Sequence, residues 1–387
     1  MPKRVPVSIV ANIFLLIAFI QSIAYGSLYD PHVFPTHGPF MEGWYCRLID
    51  GHIKQSFGVL FGSVSPKSGT PLKYPSIYVG IIRSNGGRES MRSFNAFPDS
   101  SDIVIAGKGG TPIEVNPDMK SPPNFTWTSK RHGYFKVTPN DTVFDFTISD
   151  IRFRGNLGPP LPWDQEGKGP AGSFDLLPLP LHWYVYSLGS TGDYEWTNLT
   201  SNHTIRGTVV AHQEKNWGNG FPPRWVWMQA YNETADSAFA ASVGNVDFSF
   251  ADLPAHLIGY RNYRTGLTLN FLPSNSYIVK TINGCHGKVM LTIWHFRYKV
   301  VLEMATAPST LQECLPGPTE EGFAPVAVES YVAKAIVTVY RLTWMGYKLI
   351  DKQYLTQAAL EFGGNYICAT RNPCKVDACS KRYIWGQ

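Results

Sequence analysis

The chain has 387 residues and a formal net charge of +5; 44% of it is hydrophobic, 14% aromatic and only 16% charged. An average soluble domain is about 25% charged, so a disordered chain is excluded and a large buried interior is expected. The positive charge is spread thinly, with no Lys/Arg run able to form a nucleic-acid-binding stripe.

The first 26 residues read as a targeting segment. Lys3 and Arg4 precede the apolar stretch Val7 to Ile20, and Ala24-Tyr25-Gly26 offers a small-x-small cleavage site. Residues 1–26 are therefore expected to be a secretory signal peptide, placing the protein outside the cell or in an endomembrane lumen. An uncleaved anchor is the competing reading, which Asn12 and Gln21 interrupt. Asn-x-Thr sequons at Asn124, Asn140, Asn198 and Asn202 are expected glycosylation sites, and Asn232 opens a fifth.

Further along, apolar and aromatic residues recur with period two. Examples are Ser56 to Gly62, Ser76 to Ile82, Val143 to Ile148, His182 to Tyr186, Lys288 to Tyr298 and Ala335 to Tyr340. Gly, Pro, Asn and Asp turns separate them, which predicts an all-β sandwich or barrel. Only Lys348 to Phe362 has helical composition, predicting a short helix or a final strand with a helical approach. The Pro/Gly-rich stretch Gly155 to Pro180 cannot sustain a central strand. It predicts two β units, residues 27–180 and 181–387, the second carrying a Cys-rich tail.

That tail holds Cys368, Cys374 and Cys379, while Cys46, Cys285 and Cys314 lie earlier. An even count behind a secretory segment predicts disulfide stapling of a chain end, with the pairing open. A zinc site is the sharper alternative, but the tail has neither Cys-x2-Cys spacing nor His. No metal is expected.

The window His212 to Tyr231 concentrates chemistry. Three of the 11 Trp, Trp217, Trp225 and Trp227, fall within 11 residues beside Glu214 and Lys215. On a strand Trp225, Trp227, Gln229 and Tyr231 share one face, as in a pocket for a flat or greasy ligand. The plain alternative is that these aromatics fill a core.

Residues 214–229, EKNWGNGFPPRWVWMQ, resemble the central signature of the tocopherol cyclase family. Phe40-Met41-Glu42-Gly43-Trp44-Tyr45 is similar to that family's opening motif, and Ala358 to Gly364 resembles its C-terminal segment. The resemblance implies two lipocalin-like antiparallel β-barrels, of the hydroxyneurosporene-hydratase and Diels-Alderase type, with a hydrophobic ligand between or within them. It also implies an intramolecular lyase, grouped with isomerases, that adds a phenol across a prenyl double bond to close a chroman ring without any cofactor. Plant members enter plastids, whereas this chain opens on a secretory-type segment.

Such a reaction needs a neutral carboxylic acid to protonate the alkene, aromatic faces to stabilise the tertiary cation, an acceptor for the phenolic proton, and exclusion of water. Glu42 and Glu214 are the candidate acids and His212 the proton shuttle. Trp217, Trp225 and Trp227 are candidate cation stabilisers, Gln229 and Tyr231 would orient ring hydroxyls, and Trp44 and Tyr45 join the substrate wall. Each has a structural alternative: a salt bridge from Glu42 or Glu214 to Lys215 or Arg224, and tight turns at Gly43, Gly218 and Gly220. Glu361 is expected to be an end-of-strand hydrogen-bonding residue, and His182, His256 and His286 to be structural. The expected partner is a prenylquinol, isoprenoid or lipid, with peripheral membrane contact as an accompaniment. The alternative function is a secreted, lipocalin-like glycoprotein that binds such a ligand without transforming it.

Overall fold

The computed structural model describes residues 28–32, 38–87, 91–107, 124–163, 169–172, 179–232, 234–248 and 251–374. The expected signal peptide and Cys379 lie outside the described residues.

The chain forms two antiparallel sheets. The first contains Phe40–Asp50 (β1), Gln55–Ser65 (β2), Ile77–Ser84 (β3), Arg92–Ala96 (β4), Ile103–Gly107 (β5), Phe125–Ser129 (β6), Gly133–Val137 (β7), Thr142–Ile148 (β8), Ile151–Leu157 (β9), Leu181–Asn198 (β10) and His203–Gly218 (β11). Its order is β4-β3-β2-β1-β11-β10-β9-β8-β7-β6-β5. The second contains Arg224–Tyr231 (β12), Ser237–Phe248 (β13), Ala251–Asn262 (β14), Leu267–Phe271 (β15), Ser276–Asn283 (β16), Lys288–His295 (β17), Tyr298–Ala305 (β18), Cys314–Thr319 (β19), Gly322–Thr343 (β20) and Gly346–Gly364 (β21). Its order is β15-β14-β13-β12-β21-β20-β18-β17-β16, with β19 on β20. The expected all-β, lipocalin-like architecture is what the chain adopts.

Each sheet curls around its own core because its strands alternate. In β8 the residues Phe144 and Phe146 are buried while Val143 and Asp145 are half-buried. Phe61 is a hub of the first core, with ring centroids 5.1 Å from Trp44, 4.8 Å from Trp127 and 4.9 Å from Phe135. Truncating such a residue to Ala costs about 3–5 kcal/mol.

The central strands are buried on both faces, and this positions the site. In β1, Trp44, Cys46 and Leu48 enter the first core, while Tyr45 and Ile49 face the second sheet. In β12, Val226, Met228 and Ala230 enter the second core, while Trp225, Trp227 and Tyr231 face the first sheet. A third apolar cluster thus fills the space between the sheets.

One sequence expectation is corrected, and between the two alternatives offered for Lys348 to Phe362 the final strand is the one adopted. The change of sheet falls between Gly218 and Arg224, not at residue 180, because β10 and β11 pair with β9 and β1 of the first sheet; the Pro-rich stretch is a connection within that sheet. Lys348 to Phe362 belongs to β21, a 19-residue strand held between β12 and β20. Ladder pairing on both sides overrides its helical composition.

Disulfides Cys285–Cys368 and Cys314–Cys374 bind the tail to the second sheet. This settles disulfide over zinc at Cys368 and Cys374. Cys46 is a buried free thiol of the first core, its pKa pushed well up by burial.

Candidate active site

A cavity of about 240 Å³ opens between the sheets. The first sheet lines it with Glu42, Tyr45, His182, Trp183, Glu214 and Asn216. The second contributes Trp225, Trp227, Asn245, His256, Leu257 and Glu361.

Register brings three glutamates to the facing surfaces. Tyr45 stands opposite Glu214 across β1 and β11. Trp227 stands opposite Glu361 across β12 and β21, and Glu329 opposite Glu361 across β20 and β21. The two cleft carboxyls are each held by an indole. Trp225 Nε1–H donates to Glu361 Oε1. Trp227 Nε1–H donates to Glu214 Oε2 at 2.9 Å, and the same oxygen lies 2.7 Å from His212 Nε2.

Glu361 remains partly open to the cleft, whereas Glu214 and Glu329 are buried. Burial among apolar walls pushes its pKa up to about 7, against the pull of the Trp225 hydrogen bond and with help from the nearby Glu214 charge. Its Oε2 has no hydrogen bond to any described residue. Near neutrality a large share of Glu361 is thus the neutral carboxylic acid, with a free oxygen in an apolar cleft. Behind it, burial and the Glu361 charge hold Glu329 well above the usual carboxylate range. Tyr45 O–H donates to Glu329 Oε1 (3.2 Å), and the Tyr45 and Tyr331 hydroxyls lie 2.5 Å apart.

Gly363 explains the Gly-Gly ending of β21. A Cβ there would come within 1.9 Å of Trp225 Cε2, so only glycine lets the indole lie against the strand and reach Glu361.

Glu42 occupies a different environment. Its side chain shares the first-core face of β1 and β11 with Lys215, whose Nζ lies 2.7 Å from Glu42 Oε1. His32 adds its backbone N–H (2.7 Å) and Nδ1 (2.8 Å) to the same oxygen. Burial raises the Glu42 pKa, but the Lys215 charge and the His32 hydrogen bond outweigh it and the net direction is down. Lys215 also donates to the Asp30 carbonyl and sits 5.0 Å from the Trp44 ring centroid and 5.1 Å from that of Trp217. Of the two sequence alternatives for Glu42, the geometry is that of a buried ion pair.

The other expected site residues divide. Trp225, Trp227, Tyr45, Trp44 and Glu214 line the cleft. Trp217 does not: it packs in the first core, stacked with His182 (4.9 Å) and His32 (5.0 Å). Gln229 and Tyr231 lie deeper along β12. Gln229 Oε1 accepts from Arg47 Nη1 at 2.5 Å and Tyr231 is buried in the inter-sheet cluster; neither is among the residues that line the cavity. His212 is fully buried and reaches the cleft only through Glu214. His182 and His256 also line the cavity, and burial lowers both pKa values to about 4, which keeps the rings neutral.

Sequence reasoning passed over Glu329 and Tyr331 and set Glu361 aside. The signal was the parity of β20 and β21, which puts Glu329 and Tyr331 on one face with Ala327, and Glu361 with Ala359. Asn124, Asn140 and Asn202 are exposed, while Asn198 donates its Nδ2 to Asp150 (2.8 Å). Among the described residues no group of three His, Cys, Asp or Glu side chains is arranged to hold a metal ion.

Two lipocalin-like sheets enclose a largely apolar cleft in which two carboxyls are presented on indole N–H groups. The Tocopherol cyclase-like family profile matches residues 38–364, and the chain belongs to that family. It is 23% identical over 370 residues to chloroplastic tocopherol cyclase of Zea mays, covering 86% of this chain and 76% of that protein. It is 24% identical over 254 residues to a probable chloroplastic tocopherol cyclase of Oryza sativa subsp. japonica, covering 57% of this chain and 51% of that protein. In fold it is similar to CghA, with TM-score 0.56 and 12% identity over 89% of this chain and 96% of that one. The structure of CghA with Sch210972 gives TM-score 0.54 at 12% identity, over 88% and 97%.

Proposed function

We propose that the protein is an intramolecular cyclase of a prenylated hydroquinone or related isoprenoid phenol, working in an oxidising lumen. The observation that carries this reading is Glu361: a carboxyl raised to about 7, open to an apolar cleft and fixed by the Trp225 indole.

In the proposed reaction the Glu361 carboxyl proton passes to one carbon of the prenyl double bond, whose π pair forms the new C–H bond. The tertiary cation left on the other carbon is stabilised by the faces of Trp225 and Trp227. A lone pair of the phenol oxygen closes the C–O bond. Glu214 accepts the phenolic proton, with His212 behind it to share the charge. Return of that proton to Glu361 completes an isomerisation in which no atom is gained or lost. Glu361 and Glu214 thus divide acid and base work between the two sheets. In this scheme Glu42, fixed as an ion pair, is part of the wall and not the acid. The two disulfides fit the oxidising compartment.

The test is incubation with a prenylated hydroquinone in D2O. The expected product is a chroman carrying one deuterium at the protonated carbon. The Glu361→Gln variant should bind the same compound, by Trp quenching, and form the chroman about 100-fold more slowly or worse. Saturable quenching by wild-type protein with no product would leave the binding-protein alternative.

A further inference from the structure

At the far end of the β20–β21 hairpin the burial rule of the fold breaks. A strand covering a core alternates between buried and exposed residues, yet the first five residues of β21, Gly346 to Ile350, are all exposed. Arg341 and Leu342 opposite them are exposed too. The hairpin therefore projects as an arm with both faces in solvent, and those faces are apolar: Leu342, Tyr347, Leu349 and Ile350 cover them, and the turn carries Trp344 (92% exposed) and Met345 (77%). The β17–β18 turn adds Phe296, 83% exposed, and is fastened to the arm by the Leu342 N–H donating to the Arg297 carbonyl at 2.8 Å.

Charge at this end has one sign. Arg297, Lys299, Arg341 and Lys348 surround the apolar residues, and no acidic residue occurs from 296 to 300 or from 340 to 350. Aromatic and aliphatic side chains at a tip, ringed by cations, match the polarity gradient of a bilayer edge, where Trp and Tyr sit at headgroup level and Lys/Arg meet lipid phosphates. A second copy docking through the same patch would set the four cations against their own copies.

We propose that this arm docks the protein on an anionic lipid bilayer, Trp344, Met345 and Phe296 entering the headgroup boundary and Arg297, Arg341 and Lys348 meeting phosphates. The surface is independent of the cleft, which lies at the opposite end of the same hairpin.

The experiment is co-sedimentation of the full-length protein with vesicles of phosphatidylcholine, with and without phosphatidylserine. Binding is expected on the phosphatidylserine vesicles, weakening as salt is raised. The Trp344→Ser/Met345→Ser and Arg341→Gln/Lys348→Gln variants should each bind about tenfold more weakly or worse, with an unchanged circular dichroism spectrum. As a second variant that keeps the apolar tip, Trp344→Phe should still bind vesicles but lose fluorescence quenching by bromine-labelled lipid. Failure of the wild type to bind phosphatidylserine vesicles overturns the proposal. So does binding that the tip variants leave unchanged, or a concentration-dependent dimer that they abolish.

Discussion

Trp227 and Glu214 join the two sheets through one hydrogen bond: the indole N–H of β12 donates to the carboxylate of β11 at 2.9 Å, with both side chains buried. Its loss leaves a buried carboxylate short of a donor, which costs about 1–3 kcal/mol. Trp227→Phe keeps the ring and removes only the N–H, so urea denaturation should show a loss of that size. A stability equal to wild type would mean that the bond adds nothing.

Glu361 gives the protein a pH signature. Its folded pKa, about 7, lies above its ordinary value of 4.5, so the folded state binds more protons between those pH values and stability falls as pH rises through that window. The Glu361→Gln variant removes this dependence and should gain stability over wild type above pH 7, by about 3 kcal/mol at most. Turnover of the wild type should decline as pH rises through about 7, where the acid is lost. At pH 6 the variant should be slower by about 100-fold or more. A rate that instead climbs with pH would assign the acid elsewhere.

The Glu42–Lys215 pair makes the opposite kind of test. Removing one member leaves the other charge buried and unpaired, and Glu42→Gln should destabilise the fold by about 3–5 kcal/mol. The double variant Glu42→Gln/Lys215→Met should recover most of that loss. If Glu42 were instead the proton donor, Glu42→Gln would abolish chroman formation with stability intact.

Gly363→Ala is expected to push the Trp225 indole off β21, since the new Cβ would fall within 1.9 Å of Cε2. Glu361 then loses its donor, and its pKa should climb further. The measurable outcome is a shift of the pH-rate profile to higher pH together with a lower Tm. An unshifted profile would show that the Trp225 hydrogen bond does not tune the acid.

The strands were legible in the sequence because alternation is a local property: Val143 to Ile148 announces which residues face a core. Doubly buried strands hide their second face, since β12 buries Val226 and Trp227 alike and no period shows which sheet each one meets. The cluster Glu214, Trp225 and Trp227 could be found because it lies within one stretch of chain. Glu361 and Glu329 could not be weighed from sequence, because their acidity comes from a cross-strand pairing and a burial that only the assembled sheets create. Lys348 to Phe362 stayed open between helix and strand for the reverse reason: its residues favour helix, and partners on both sides decide for the strand.

The contacts of the cleft differ widely in how much chain they span. Glu214 and Trp227 are 13 residues apart, joined by the short connection between the sheets, whereas Tyr45 and Tyr331 are separated by 286. Closing a short loop costs less entropy than closing a long one, so the first pair can meet early, while the second must await both completed sheets. During refolding the cleft is therefore finished last, and recovery of ligand binding should trail the return of the β-sheet spectrum, timing the moment at which the two halves of the molecule seat against each other.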